Sequence, residues 1–256
     1  MKSIVFFVAA LPALGQLAAP NPEGVTMGHV HFNSPDPAAA IRFWVESLGA
    51  QPYTHATLSG VAVPGVIILF RKASPTAPST GSAVDHIGFK VPDLTKYLEK
   101  FSGPEWKPSR PTADGIQLMF NTPDGVRVEL TEDRALSVPI RFHHVHLHTT
   151  DPKAMQAWYL KNFGATPSTR ALWDSGEVPG ANLTYQKAAS VEPTAGRALD
   201  HIGFEIHGLE ALCRKLTESG ITLDSPYREA PQLKLALAFL TDPWGMRIEL
   251  TEGLGK

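Results

Sequence analysis

GHVHFNSPDPAAAIRFWVESLGAQP, residues 28–52, recurs as HHVHLHTTDPKAMQAWYLKNFGATP, residues 143–167, at an offset of 115. At the same offset, VDHIGFKV at 84–91 corresponds to LDHIGFEI at 199–206. The stretch FNTPDGVRVELTE then matches LTDPWGMRIELTE (240–252) at an offset of 120, because the second copy is five residues longer. Three collinear matches indicate an internal duplication.

The duplication sets the expected domain organisation. We expect one domain at 27–133 and a second at 141–253, joined by the short segment around 133–139. Within each domain the same order of elements begins twice, first at HVHF or HVHL and again at DHIGF. Each start predicts a short strand, a helix and three further strands. The predicted fold is therefore α+β, with four βαβββ modules.

Local signals support these helices and strands. Asp36 is a plausible N-cap, with Pro37 at the first helical position, and Gly49 closes the helix. The lone Cys213 lies in an apolar-periodic stretch and predicts a buried helical thiol rather than a disulfide. One module alone leaves its sheet incompletely covered, so we expect modules to pair and to enclose a cleft.

Composition limits the possible partners. The chain has 256 residues, 43% of them hydrophobic, and a formal net charge of −2, which is enough apolar material for ordinary cores. No basic block is present, so the sequence favours neither nucleic acid nor a membrane surface as a partner. We expect a small-molecule substrate, and a monomer or a homodimer.

The N-terminus reads as a secretory leader. Lys2 precedes the apolar run Ile4 to Leu14, and Ala13 and Gly15 suit cleavage before Gln16. This predicts a signal peptide over 1–15 and a secreted or periplasmic protein. A buried first strand or an uncleaved anchor is the alternative.

Two histidines and one glutamate recur at strand positions in both copies. The histidine pairs, His29 with His86 and His144 with His201, are each 57 residues apart, and the glutamates Glu129 and Glu249 follow 43 and 48 residues later. A glutamate inside a β-branched strand is costly to bury unless something neutralises it. Two imidazoles and a carboxylate sharing a divalent metal ion would do so.

Simpler interpretations compete with this one. A single strand histidine is usually a hydrogen-bonded core residue, and Glu129 could pair only with an arginine across the sheet. The doubled trio favours the metal. The tract HHVHLH (143–148) is a further possible local metal site, but alternation along a strand predicts that His143 faces away from His144.

These motifs, H-V-H before a P-D helix start, then DHIGF, then D-P-x-G-x-x-x-E-L, resemble the vicinal oxygen chelate superfamily. That superfamily includes glyoxalase I, fosfomycin resistance proteins, extradiol dioxygenases and bleomycin-resistance proteins. The resemblance implies that modules pair into half-barrels with metal ligands on the first strand of each module and the last strand of the second. It assigns the ligands His29, His86, Glu129, His144, His201 and Glu249.

Two pairings of modules remain open under this resemblance. Modules can pair within a repeat, so that His29 joins His86 and Glu129. Some members exchange modules, in which case His29 joins His201 and Glu249, and His144 joins the other pair.

The sequence departs from several members. The fourth acidic ligand of glyoxalase I has no counterpart in VIILF (66–70) or NLTYQ (182–186), which puts a glutathione-linked isomerase in doubt. Extradiol dioxygenases have a tyrosine where this chain has Met119 and Phe239, which disfavours ring cleavage. Bleomycin-type binders commonly lack the metal ligands that this chain retains, and fosfomycin-modifying relatives use cytosolic thiols that an exported protein would seldom meet.

The function expected from these features is a metal-dependent lyase or isomerase of glyoxalase type acting on a small oxygen-chelating molecule. His31 and His146, two residues beyond a ligand in each copy, are candidate catalytic bases, with a simple lining role as the alternative. Iron(II), manganese, zinc, nickel and cobalt all suit the ligands. An iron(II) dioxygenase and a non-catalytic binder of small molecules or metal are the competing functions.

Overall fold

The structure is a computed structural model that describes residues 17–101 and 117–255 and the backbone of 107–108. The predicted signal peptide, 1–15, lies outside the described residues. No helix in the described part of the chain is long and apolar enough to span a membrane.

The chain forms four modules with one strand order. Module 1 contains β1 (Val25–Ser34), α1 (Pro37–Leu48), β2 (Gln51–His55), β3 (Leu58–Val63) and β4 (Val66–Lys72). Module 2 contains β5 (Val84–Val91), α2 (Thr95–Lys100), β6 (Lys107–Pro108), β7 (Gln117–Asn121) and β8 (Arg127–Glu132).

The second repeat supplies the other two modules. Module 3 contains β9 (Arg141–Thr149), α3 (Pro152–Phe163), β10 (Thr166–Arg170), β11 (Trp173–Val178) and β12 (Ala181–Lys187). Module 4 contains β13 (Leu199–Ile206), α4 (Leu209–Glu218), β14 (Leu223–Ala230), β15 (Leu235–Thr241) and β16 (Arg247–Glu252), with a 3-10 turn at Pro231–Leu233. The α+β fold of four βαβββ modules is confirmed.

The modules pair between the repeats. One eight-stranded sheet has the order β14-β15-β16-β13-β1-β4-β3-β2 and joins modules 1 and 4, the outer modules of the chain. The other has the order β10-β11-β12-β9-β5-β8-β7-β6 and joins modules 2 and 3, the inner modules. We call the concave faces of these sheets the outer cup and the inner cup. Each sheet thus contains strands from both repeats. That residues 27–133 and 141–253 are separate domains stays a prediction.

Alternation along the first strands separates core from cup. In β1, Val30 and Phe32 belong to the hydrophobic core, while His29 and His31 face the outer cup. The core is continuous through both sheets and includes the fully buried rings of Trp44 and Tyr159. The buried apolar residues of the helices belong to this core, so the helices cover the sheets on the core side and leave the concave faces open.

The helix signals in the sequence are confirmed. Asp36 caps α1 by accepting a hydrogen bond from the backbone N–H of Ala39, with Pro37 in the first turn and Gly49 in the left-handed conformation at the end. Asp151 repeats the cap on α3. Cys213 is buried on α4 as a free thiol.

Candidate metal centres

The outer centre joins one residue of the first repeat to two of the second. The Nε2 atoms of His29 and His201 both lie 2.9 Å from the same oxygen, Oε2, of Glu249. His29 comes from β1, and its strand pairs antiparallel with β13, which carries His201. β13 in turn pairs with β16, which carries Glu249. Three potential ligands from three adjacent strands therefore meet at one point.

An aspartate orients one imidazole of the outer centre. The Nδ1–H of His201 donates to Asp200 Oδ1 at 2.6 Å, so that Nε2 is directed at Glu249. Asp200 is buried and also accepts hydrogen bonds from Arg247 Nη1 at 3.0 Å and Arg71 Nη2 at 3.2 Å. Carboxylate partners of this kind fix the ring orientation of a ligand histidine and increase its basicity.

The inner centre repeats this arrangement with a looser contact. His86 Nε2 lies 3.2 Å from Glu129 Oε2, and His144 Nε2 lies 3.4 Å from His86 Nε2 and 3.8 Å from the same carboxylate oxygen. Asp85 accepts from His86 Nδ1 at 2.8 Å and pairs with Arg127 at 3.0 Å. The repeat therefore preserves both the trio and its supporting ion pair.

A buried arginine distinguishes the inner centre. Arg170 Nη2 donates to Glu129 Oε1 at 3.0 Å, and Thr131 Oγ1 donates to the same oxygen at 3.0 Å. Oε1 is thereby engaged, and Oε2 is left for the histidines. In the outer centre the corresponding Thr251 instead donates to Glu205.

Two glycines explain how the histidines reach the carboxylates. A Cβ placed on Gly203 would lie 1.9 Å from Cε1 of His29, and one on Gly88 would lie 1.9 Å from Cε1 of His144. The glycine of each DHIGF motif therefore makes room for a predicted ligand histidine of the paired module. This contact can form only with the exchanged pairing, and the within-repeat alternative is not the one adopted.

Charge within each centre is shared among neighbouring side chains. Burial alone would raise the pKa of Glu249 and Glu129, but hydrogen bonds from the histidines hold both values far below the usual range. Burial also opposes protonation of His201 and His86, yet their hydrogen bonds to aspartate and glutamate raise the pKa of each. Each glutamate is thus a buried carboxylate that depends on positive charge beside it.

The candidate bases His31 and His146 lie next to these centres. The His31 ring lies 4.8 Å from that of His201, and the His146 ring stacks at 4.4 Å on that of His86. Burial and the neighbouring histidines lower the pKa of His31 well below its usual value and that of His146 to about 3. His146 Nε2 also contacts Gln186 Oε1 at 2.8 Å.

The two bases are close enough to bind a shared ion themselves. His31 has a ligand atom within 4.8 Å of those of His29, His201 and Glu249. His146 forms a group of the same compactness with His86 and His144. The structure therefore places both predicted bases at the predicted centres, and their catalytic role stays a prediction.

Both centres open into cavities. The outer cavity has a volume of about 370 Å³ and the inner cavity about 660 Å³. The outer cavity is lined by Glu249 and by both predicted ligand histidines, whereas the inner cavity is lined by Glu129 and by His86 alone of its pair. The candidate base of each cup lines the cavity as well. A small molecule in either cavity would contact the centre directly.

One prediction about the HHVHLH tract is wrong. A register shift between β5 and β9 at His143 turns its ring toward its neighbour, and His143 Nδ1 lies 3.0 Å from His144 Nδ1. Simple alternation would have placed the two rings on opposite faces. The bulge occupies the same place as Gly28 in β1, where the register also shifts.

Sequence reasoning missed three groups of site residues. Asp85 and Asp200 stand in the repeated DHIGF motif, and that repetition was the available signal for their role. Arg170 had no such signal, because the matching position in the first repeat is His55. Trp173 and Gln186 line the inner cup from the hairpin strands β11 and β12. The sequence did not show which side chains of these strands face the cup.

Both repeats of the sequence match the model of one known family. The family model described as "Glyoxalase/Bleomycin resistance protein/Dioxygenase superfamily" matches residues 26–130 and again 141–250. The chain belongs to this superfamily. The resemblance inferred from the motifs is therefore confirmed. No sequence among curated proteins matches the chain significantly.

Solved structures show the same fold at low identity. A V278E mutant of glyoxalase I from Zea mays is similar with a TM-score of 0.70 and 17% identity, covering 90% of this chain and 93% of that one. A Bacillus subtilis protein described as a putative dioxygenase is similar with a TM-score of 0.68 and 15% identity, covering 93% of this chain and 86% of that one. At these identities the similarity shows that this chain and the two solved structures share a fold.

The residues of each centre fit a divalent metal ion. Imidazole and carboxylate are suitable ligands for first-row transition metals. In the outer centre the two Nε2 atoms and the carboxylate oxygen converge without an intervening protein cation, and the buried Nδ1 of His29 has no partner among the described residues. His29, His201 and Glu249 would hold an ion in the outer centre, and His86, His144 and Glu129 in the inner one.

Proposed function

We propose that the protein is an exported, metal-dependent enzyme of the lyase or isomerase type that acts on a small oxygen-chelating molecule. The observation that carries the proposal is the convergence of two imidazoles and one buried carboxylate on a single point at the base of a cavity, formed twice. Three protein ligands leave coordination positions open for two neighbouring oxygens of a substrate.

The chain contributes positioning and proton transfer to this activity. A divalent ion held in a centre would polarise a substrate carbonyl or stabilise an enolate. Asp200 and Asp85 orient the ligand histidines His201 and His86. His31 and His146 stand beside the ligands, and the Nδ1 atom of each has no hydrogen-bond partner among the described residues. Either imidazole is placed to remove a proton from a substrate bound at its centre.

Export bears on the identity of the metal. The leader-like residues 1–15 support secretion or a periplasmic location. A protein that folds after export would bind its metal outside the cytoplasm, where zinc and copper compete strongly for nitrogen and oxygen ligands. Iron, manganese, nickel and cobalt suit the same ligand set.

An iron(II) dioxygenase is the second candidate. Two histidines and one carboxylate with open positions are the ligand set of many non-haem iron oxygenases. In this chain, however, the cup positions where the ring-cleaving relatives have a tyrosine are Met119 and Phe239. The metal and the consumption of oxygen separate the two candidates. A binder without activity is the third.

Metal analysis of the full mature chain tests the proposal. We expect two ions per chain after reconstitution, one in each of the variants Glu129→Gln and Glu249→Gln, and none in the double variant, measured by elemental mass spectrometry. His207→Ala, at an exposed histidine, is the matched control and should keep both ions. An ion-free wild-type chain, or two ions retained by both glutamate variants, would contradict the ligand assignment. Iron with oxygen uptake would favour the dioxygenase.

A further inference from the structure

The two cups have the same centres but different walls. Residues related by the offsets of the repeat occupy the same places in each cup, so the walls can be compared position by position. Beside the candidate base, Leu69 pairs with His31 in the outer cup, whereas Thr184 pairs with His146 in the inner cup. Leu69 lines the outer cavity, whereas Thr184 is fully buried and donates a hydrogen bond to Asn182, so an apolar side chain lines the cavity at this place only in the outer cup.

The outer cup is lined by leucines. Leu58, Leu237 and Phe239 line its cavity where the inner cup has Trp173, Gln117 and Met119. Leu69 and Leu237 belong to a hydrophobic cluster that is separate from the main core and lies on this concave face. A second apolar cluster on the concave side of a sheet provides a surface to which an apolar ligand can bind.

The tail after β16 adds to this apolar surface. Leu254 is 1% exposed and lines the outer cavity, and Tyr53 donates a hydrogen bond to its backbone oxygen at 2.7 Å. The matching residue after β8 is Arg134, which is exposed and pairs with Glu132. At this matched position the outer cavity is therefore lined by an apolar side chain and the inner cavity is not.

The inner cavity has more uncharged polar side chains on its wall, although Trp173, Met119 and Leu172 also line it. His148, Gln117 and Gln186 line it, and Arg170 lies beside Glu129 on the same wall. The outer cup does contain the cations Arg71 and Arg247, but both pair with Asp200. Arg228, on the lining of the outer cavity, is exposed and has no acidic partner among the described residues, so it favours an anionic ligand.

We propose that the two centres take different classes of ligand. The outer cup takes a compact hydrophobic acid, such as an aromatic molecule with neighbouring hydroxyl and carboxylate oxygens. The inner cup takes a polar, hydroxylated molecule with the same chelating oxygens. This inference rests on the proposed function, because both ligands bind through the metal centres, and it names the substrate class of each.

Single-centre variants allow the two cups to be tested in the whole protein. Glu129→Gln leaves the outer centre alone, and Glu249→Gln leaves the inner centre alone. Each is loaded with Mn²⁺ and titrated with mandelate and with glycerate, which share the α-hydroxy carboxylate group and differ in a phenyl or a hydroxymethyl group. Binding is followed by the relaxation rate of water protons at the manganese ion.

We expect mandelate to bind at least about ten-fold more tightly than glycerate in Glu129→Gln, because the phenyl ring enters an apolar cavity. In Glu249→Gln we expect equal binding or a preference for glycerate. Adding Leu237→Gln to the first variant should reduce its preference for mandelate. The reciprocal Gln117→Leu in the second variant should increase mandelate binding.

The outcomes separate this inference from the proposed function. If each variant binds one Mn²⁺ but both prefer the two acids to the same degree, the difference between the cups is refuted and the metal centres stand. An unchanged preference after Leu237→Gln would also refute it. If neither variant binds Mn²⁺, the proposed function fails and this inference fails with it. Circular dichroism of each variant tests whether the fold is retained.

Discussion

Gly203 and Gly88 show how one missing side chain makes each candidate metal centre possible. A methyl group on Gly203 would overlap the ring of His29, and one on Gly88 would overlap that of His144. Both glycines lie in the middle of central strands, where glycine is otherwise unfavourable. Their presence in a repeated DHIGF motif is therefore explained by the ring that each must admit.

We expect Gly203→Ala to displace His29 and to empty the outer centre while the inner centre keeps its ion. Gly88→Ala should do the reverse, so each variant is the control for the other. Elemental analysis should find one ion per chain in either variant. Two ions in both would show that the histidines reach their carboxylates without this space.

Asp200 and Asp85 act through the histidines that follow them. Each accepts the Nδ1–H of its histidine, and each is held by an arginine on the last strand of the same module. Losing such a partner typically weakens metal binding by about 10- to 100-fold. We expect Asp200→Asn to weaken binding at the outer centre by this factor and to leave the inner centre unchanged.

Competition with a chelating dye measures this effect, and Asp85→Asn gives the matched result at the other centre. Asp224→Asn, at an exposed aspartate away from both cups, should leave both affinities unchanged. Equal affinities in Asp200→Asn and wild type would show that the aspartate has no role in positioning the ring.

At this scale the sequence predicted the residues of the centres better than their partners. The six predicted ligands and the two neighbouring histidines, which the structure brings together at the two centres, could be singled out because they repeat. Arg170 was missed because its contact with Glu129 joins modules 2 and 3 across the cup, and its counterpart His55 gives no hint of it. A contact that only one copy makes leaves no trace in the duplication.

Helices were the elements that the sequence predicted most directly. The start of α1 depends on the local signals Asp36 and Pro37, and these act within one turn. The face of the sheet on which a strand side chain lies was harder to predict, because one extra residue reverses the alternation of side chains. His143 was placed on the wrong face since the register shift that turns it depends on the partner strand β5.

The cap of α1 gives a test at this scale. Asp36→Ala removes the hydrogen bond to the backbone N–H of Ala39 and should lower the free energy of unfolding by about 1 kcal/mol. Asp151→Ala removes the same bond from α3 and should cost about as much. Denaturant unfolding of the two variants and of Asp36→Asn, which keeps an acceptor, measures these costs. A loss as large in Asp36→Asn as in Asp36→Ala would show that the capping bond is not the cause.

For the whole molecule, the sequence left the pairing of modules open. Both pairings bury the same apolar faces and use the same ligand list, so neither hydrophobic pattern nor motif spacing could choose between them. The structure pairs β1 with β13 and β5 with β9. Each repeat is consequently held to the other along two central strands.

This pairing predicts that the halves stay together when the linker is cut. A protease site inserted between Arg134 and Ala135, which are exposed, would separate the chain into its two repeats. We expect the cut protein to elute in gel filtration at the position of the uncut chain and to keep both ions. The halves should separate only in denaturant. Two small species without denaturant would contradict the exchanged pairing.

The exchanged pairing also sets the order in which the two sheets can form as the chain emerges. The chain emerges from its N-terminus, and β1 is complete when its partner β13 lies more than 150 residues downstream. The inner sheet can close once module 3 is made, but the outer sheet waits for module 4. Until then the edge of β1 that later pairs with β13 is unpaired, and His29 lies there without His201 and Glu249. A chain that has emerged only through module 3 therefore has one complete cup and one exposed strand edge to which another strand can bind.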